Sequence, residues 1–313
     1  MSTRPANSKV SIGMPVYNGE RFIRETLDSL LSQTFTDFDL IISDNASTDG
    51  TQDSCRDYSA KDSRIRYYRN SENIGASRNY RRVFELSSGA YFRWANHDDL
   101  FAPESLARCV EVLDSHPSVV LVYPKTRLID QSGHVISDYD DGLHLQASQA
   151  SERFAQAWAR LGLVNVIYGL IRRSVIEKTA LMGDFIGSDI PFVTELTLYG
   201  KFFEISDFLF YRRIHPNAHS SHKDTSQLFQ FYRPNKQNSF ALTTCRQMCA
   251  AIRAVKRAPL RRAEKLRLAR HVARMIRWNR WQIATDLLAA VKQLTQSADR
   301  RRKSDSIPER SST

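Results

Sequence analysis

The chain has 313 residues, 42% of them hydrophobic and 25% charged, with a net charge of +11. These values describe a globular protein of one large domain, or one domain with an appendage, and exclude a fibrous or fully disordered chain. No run approaches eighteen apolar residues, which excludes a transmembrane helix, and the polar stretch 1–8 lacks a signal-peptide core. Cys55, Cys109, Cys245 and Cys249 show no CxxC spacing and read as reduced thiols of a cytoplasmic protein. The charge is unevenly spread. Residues 253–303 hold sixteen Lys and Arg against three acids, leaving 29 basic and 31 acidic residues for the rest. A nucleic-acid-binding body is therefore not indicated; the excess belongs to a C-terminal appendage.

In chain order, the apolar run 10–14 predicts a strand stopped by Pro15, and Phe22, Ile23, Leu27, Leu30 and Leu31 predict a helix over 19–33. A second strand over 38–43 empties into Asp44, Asn45, Ala46, Ser47, Thr48 and Asp49, dense in turn and capping types. A strand at 65–68 follows, then Asn73 to Asn79 leading into a helix that reaches about 86. The aromatic run 91–94 predicts a buried strand that ends in Asn96, His97, Asp98 and Asp99, before a helix over 103–115. Carboxylates at the carboxyl end of a strand suit a divalent cation bridging to phosphate oxygens; equally, an acidic pair there could cap the next helix. A strand at 119–123 closes an alternating pattern that implies a mostly parallel sheet flanked by helices.

Beyond 130 the alternation fails. A helix over 151–161, a strand over 164–170, a helix over 190–199 and one or two strands over 202–211 are expected, then a polar run at 217–224. In the basic region Leu268, Val272, Ile276, Ile283, Leu287, Val291 and Leu294 form one stripe, with Trp278 and Trp281 in the same stretch. That stripe fits packing on the main domain, an anionic membrane surface, or nucleic acid.

Three stretches, Met14-Pro15-Val16-Tyr17-Asn18, Ser43-Asp44-Asn45-Ala46-Ser47-Thr48-Asp49 and Asn96-His97-Asp98-Asp99, each end a strand in one order. Over residues 8–220 the chain resembles the family 2 glycosyltransferases, nucleotide-sugar-dependent inverting enzymes of the GT-A fold. The resemblance implies that Pro15 and Tyr17 hold the nucleobase and Asp44 accepts a hydrogen bond from it, with Gly75 and Arg78 near the donor. It further implies a metal ligand at Asp98, His97 beside the ribose, and Mn²⁺ or Mg²⁺ as cofactor. Asn96 departs from the acid usual in that motif and could meet a ribose hydroxyl. Asp189, opening an acceptor-side helix, matches the general base, although an Asp there could also cap the helix. His215, after the last strand, would add a metal or diphosphate contact.

The resemblance divides residues 9–220 into a nucleotide-sugar half at 9–125 and an acceptor half at 126–220; composition adds a flexible start at 1–8, a connection at 221–252, a basic helical region at 253–299 and a disordered tail at 300–313. It implies single-sugar transfer to a glycan or lipid-linked acceptor in surface polysaccharide or glycolipid assembly, in the cytoplasm or peripherally on the membrane's inner face. The alternative is a degenerate or non-catalytic protein that binds nucleic acid or membrane through its basic region. A nucleotidyltransferase would want a Gly-rich phosphate loop after the first strand, and Pro15-Val16-Tyr17-Asn18-Gly19 is not one.

Overall fold

The computed structural model describes residues 8–216, 232 and 242–305. Nine strands of those residues form one sheet: β1 Val10–Val16, β2 Phe38–Asp44, β3 Ile65–Arg69, β4 Tyr91–Trp94, β5 Leu100–Phe101, β6 Val119–Ile129, β7 Val135–Tyr139, β8 Leu170–Arg172 and β9 Lys201–Arg213. They lie in the order β3-β2-β1-β4-β8-β6-β9-β5, with β7 hydrogen-bonded to β6. Pairing is parallel from β3 through β4 and again between β6 and β9; β8, β5 and β7 pair antiparallel. Parallel pairing thus dominates the N-terminal half, and pairing among the strands after residue 118 is mixed.

β1 and β2 are buried along all seven residues, as parallel strands covered on both faces must be. Val10, Ile12, Met14, Leu40 and Ile42 pack under helices α1 (Ile23–Leu31), α2 (Thr51–Lys61) and α4 (Ser105–Ser115). Ile41, Phe92 and Trp94 face the opposite layer with Val83 and Phe84 of α3 (Ala76–Glu85). Pro15 does not end β1, as its ring suggested, because β4 pairs only as far as Gly13. Gly13 bonds the β4 side, so Pro15, two residues on, turns its missing donor to a side that has no ladder partner there.

The run expected as a strand at 164–170 is a 3₁₀ turn over Asn165–Tyr168, entered through Val164 at φ 58°, with β8 after it. A short apolar run does not distinguish these forms by periodicity. Residues 202–211 belong to one long strand, β9, and the exposed hairpin strand β7 had no apolar alternation to reveal it.

Helices α5 (Ala150–Arg160), α6 (Arg173–Ile176) and α7 (Asp189–Leu196) complete the main body. The basic region forms α8 (Thr243–Arg257), α9 (Arg262–Trp278) and α10 (Arg280–Asp305). α8 starts inside the expected connection, and α10 runs into the expected disordered tail; residues 1–7, 217–231, 233–241 and 306–313 lie outside the described residues. Met248, Ala251, Leu268, Val272 and Met275 form a third core with Phe154 of α5 and with Leu198. The first half of the predicted stripe therefore packs on the main body.

Candidate active site

Because β1, β2 and β4 are parallel neighbours, the turns that follow them meet at one edge of the sheet. The turn after β1 is fastened to the turn after β2. Asn18, at φ 50°, accepts the Thr48 amide at 2.9 Å, its own amide donates to Ser47 Oγ at 2.9 Å, and the Gly19 amide donates to Thr51 Oγ1 at 2.8 Å. A Cβ on Gly19 would stand 2.5 Å from the His97 ring, so only glycine lets this turn reach the acidic loop.

The acidic loop is held from the other side. β5 pairs with the end of β9, Leu100 opposite Tyr211 and Phe101 opposite Phe210, which brings residues 96–99 against 213–215. The Arg213 amide donates to Asp99 Oδ1 at 2.9 Å, its Nε donates to the Asp98 carbonyl at 2.9 Å, and its Nη2 to Glu25 at 2.7 Å. His215 Nε2 lies 3.0 Å from Asp98 Oδ2, and its ring packs 5.0 Å from that of Phe22. An ionised Asp98 can only accept, so this bond takes the Nε2-protonated tautomer of His215. Burial opposes ionisation of Asp98, but the His215 hydrogen bond and the neighbouring imidazoles outweigh it and hold the carboxyl below its ordinary value. For Asp99, burial and then the charge of Asp98 push the carboxyl up to about 8. The adjacent carboxyls thus share one negative charge near neutral pH, and Asp98 carries it.

Asn96 is more constrained than a free ribose donor would be. Its Oδ1 accepts from Tyr80, and its Nδ2 donates to the Tyr168 hydroxyl at 2.6 Å and to Asp99 Oδ2 at 3.2 Å. A neutral amide serves here where a carboxylate would face Asp99 without a donor.

These groups line a cleft of about 680 Å³ together with Pro15, Tyr17, Asn45, Asn73, Ser188, Asp189 and Arg212. Of the sequence-predicted residues, Pro15, Tyr17, Asn96, His97, Asp98, Asp189 and His215 line it. Asp44, Gly75 and Arg78 do not. The Asp44 carboxylate is fully buried, accepting from Tyr67 at 2.7 Å, Arg69 Nη1 at 2.5 Å and the Ser47 amide at 2.8 Å; it ties β3 to the turn after β2. Gly75 opens α3 at φ 84°, a conformation that favours glycine, and Arg78 points outward from that helix. Asn45 and Asn73, joined at 2.7 Å, take that stretch of wall instead. Sequence reasoning also missed Tyr80, Tyr168 and Arg212, which reach the cleft only through tertiary pairing of distant elements.

Asp189 opens α7 yet caps it poorly. Among the described residues its Oδ1 accepts from the adjoining Ile190 amide alone, at 3.0 Å, whereas a capping side chain reaches the second or third amide. Burial raises its pKa, against smaller opposing effects of the Ile190 amide hydrogen bond and then of the Arg212 charge. Gln247 of α8 donates to the Gly187 carbonyl at 3.0 Å, so the basic appendage also supports this loop.

The donor set at the acidic loop suits a hard divalent cation. With metal–ligand distances near 2.1 Å, two neighbouring octahedral ligands stand about 3 Å apart, and Asp98 Oδ2 and His215 Nε2 are 3.0 Å apart. Among the described residues no group of three or more His, Cys, Asp or Glu gathers as a metal site. The remaining ligands would have to come from a diphosphate and water.

The family model described as glycosyl transferase family 2 matches residues 11–178, more than half of the chain. The chain belongs to that family. An uncharacterised glycosyltransferase of Rickettsia typhi is 27% identical over 205 residues, covering 64% of this chain and 60% of that protein. The chain thus spans about 60% of that relative's length. The chondroitin synthase of Escherichia coli is 32% identical over 130 residues, 41% of this chain and 19% of that one. Among solved structures, S. aureus TarS 1–349 in complex with UDP-GlcNAc superposes with a TM-score of 0.61 at 18% identity, covering 91% of this chain and 81% of that one. The Pyrobaculum calidifontis mannosyltransferase PcManGT, in complex with GDP-Man and Mn²⁺, gives 0.52 at 17% identity, covering 93% and 88%. At such identities the likeness establishes the GT-A-type fold of this family 2 chain. No described helix is long and apolar enough to cross a membrane.

Proposed function

We propose that this family 2 chain is a metal-dependent inverting glycosyltransferase, moving one sugar from a nucleoside diphosphate donor to a hydroxyl of a glycan or lipid-linked acceptor. The observation that carries the reading is the meeting of Asp98, His215 and Asp189 with Pro15 and Tyr17 in one cleft at the carboxyl ends of parallel strands. Tyr17, 40% exposed, offers a ring face to a nucleobase, and Pro15 shapes the wall beside it. Asn45, Asn73 and His97 offer polar groups between that wall and the acidic loop.

Asp98 and His215, the latter once its Nε2 has given up its proton, would hold Mg²⁺ or Mn²⁺, whose charge offsets that of the diphosphate. The chain's own residues supply the rest. Asp189 accepts the proton of the acceptor hydroxyl as its oxygen forms a bond to the anomeric carbon, while the bond from that carbon to the diphosphate breaks on the opposite face. The displacement inverts the anomeric centre. Burial of Asp189 makes it a stronger base than an exposed aspartate, in the direction a general base requires. Arg212, donating to Asn165 Oδ1 at 2.5 Å and to the Leu163 carbonyl at 2.7 Å, holds the 3₁₀ turn against the acceptor side. Surface polysaccharide or glycolipid assembly, with the protein peripheral on an anionic membrane, is the setting that the basic appendage favours.

The test is Asp189→Asn. With the donor sugar that wild-type turns over, the variant should lose on the order of 10²–10⁴-fold in kcat and keep nucleotide binding. Turnover within a few-fold of wild type would remove Asp189 as the base.

A further inference from the structure

The predicted apolar stripe of the basic region divides in the structure, and its second half is left outside. α9 turns Leu268, Val272 and Met275 into the third core, and α10 is fixed by Ile283 and by Asp286, which accepts the Thr244 and Cys245 amides at 2.8 and 3.2 Å. The outward side of the α9–α10 elbow carries Trp278 and Trp281, 75% and 71% exposed, followed by Leu287, Leu288 and Val291. On α10, Trp281, Leu288 and Val291 recur at seven and ten residues and share a face. Arg267, Arg270, Arg274 and Arg277 recur at helical spacing on the exposed side of α9, and Arg280 lies over the Trp281 ring at 5.4 Å.

We infer that this elbow is a docking surface for an anionic lipid bilayer, with the two tryptophans entering the interface and the arginines of α9 meeting headgroup phosphates. Charge decides between occupants. A second copy of the same face would set the exposed arginines of α9 and Arg280 against their own counterparts, in a region where basic residues outnumber acids sixteen to three. A bilayer bearing acidic headgroups neutralises them. Tryptophan paired with arginine is also the composition of the water–hydrocarbon boundary, where an amphipathic ring sits at headgroup depth. The inference rests on the transferase reading for its purpose, delivery of the cleft to a lipid-linked acceptor, but not for its test.

The full chain is sedimented with vesicles of phosphatidylcholine alone and of phosphatidylcholine with phosphatidylglycerol. Binding is expected only with the anionic lipid, with a blue shift of tryptophan emission. It should weaken as salt rises from roughly 0.1 M to 1 M, which shortens the screening length from about 10 Å to about 3 Å. Trp278→Ser/Trp281→Ser should lose the blue shift and most of the binding. Arg270→Gln/Arg274→Gln/Arg277→Gln should weaken binding on the order of 10²-fold at low salt, about five-fold per arginine. Both variants lie at exposed positions and should keep the thermal midpoint and nucleotide-dependent stabilisation of wild type. Three results overturn the inference: no binding to anionic vesicles at low salt, binding unchanged in both variants, or a dimer that the tryptophan substitutions dissociate while vesicles are ignored. Loss of nucleotide stabilisation in wild type would instead overturn the transferase reading and leave vesicle binding to stand.

Discussion

At the residue scale, the pairs that matter here are unequal. Asp98 is ionised because His215 faces it, and Asp99 keeps its proton because it is buried beside the charge of Asp98. Each motif residue was visible in the sequence as a type at the end of a strand, but its direction was not. Asp44 and Asp98 both end parallel-strand segments, yet Asp44 turns in toward Arg69 and Tyr67 while Asp98 turns to the cleft. Asn96, which stood out as a missing acid, is an amide with a partner at each end. Asp141 offers a test of a buried acid away from the metal ligands. Burial pushes its carboxyl up to about 7, against the Asn165 backbone and the charge of Arg212. The folded state then holds the proton more tightly than the unfolded chain, so this group's contribution is greatest below about pH 4 and is lost as pH rises to about 7. Asp141→Asn should flatten the midpoint across that window and gain a few kcal/mol of stability at pH 8, measured by denaturant unfolding. A steep loss of stability retained between pH 4 and 7 in the variant would assign the effect elsewhere.

At the element scale, periodicity revealed β1, β2, β4 and the helices between them, because buried parallel strands are continuous apolar runs and amphipathic helices repeat every three to four residues. It failed where tertiary pairing chooses the form. β5 is two residues long and exists because β9 offers an edge, yet it is the element that clips the acidic loop beside His215. α8 was unexpected as part of the body, since most of it falls in the stretch 221–252 that reads as a connection. Its Arg257 nevertheless pairs with Glu195 of α7, a carboxylate 3% exposed whose pKa is raised by burial and drawn back by that arginine. Arg257→Ala leaves the carboxylate buried without a cation. It should cost about 3 kcal/mol, near the lower bound for breaking a buried pair because the arginine is partly exposed. Denaturant unfolding reads it, and a change below about 0.5 kcal/mol would mean that the pair contributes nothing measurable.

At the scale of the whole molecule, packing on the main body, one of the roles that the sequence presented as rivals, uses only one side of the basic region. Its inner side completes a core with α5 and α7 and steadies the loop that carries Asp189; its outer side is the tryptophan–arginine elbow. Truncation before residue 243 would therefore uncover Phe154 and Leu198 and should yield aggregated or unfolded protein, assessed by solubility and circular dichroism. A stable truncated domain that still binds nucleotide would show the third core to be dispensable. The most direct test of the account is the thermal shift of the full chain with UDP, GDP, dTDP and CMP, each with and without Mn²⁺, repeated with Asp98→Ala. A metal-dependent rise is expected with at least one nucleoside diphosphate, of about 2.7 kcal/mol at 100 times the dissociation constant, and it should disappear in Asp98→Ala. No shift with any nucleotide, or a shift that survives Asp98→Ala undiminished, would contradict a metal-assisted donor site in this cleft.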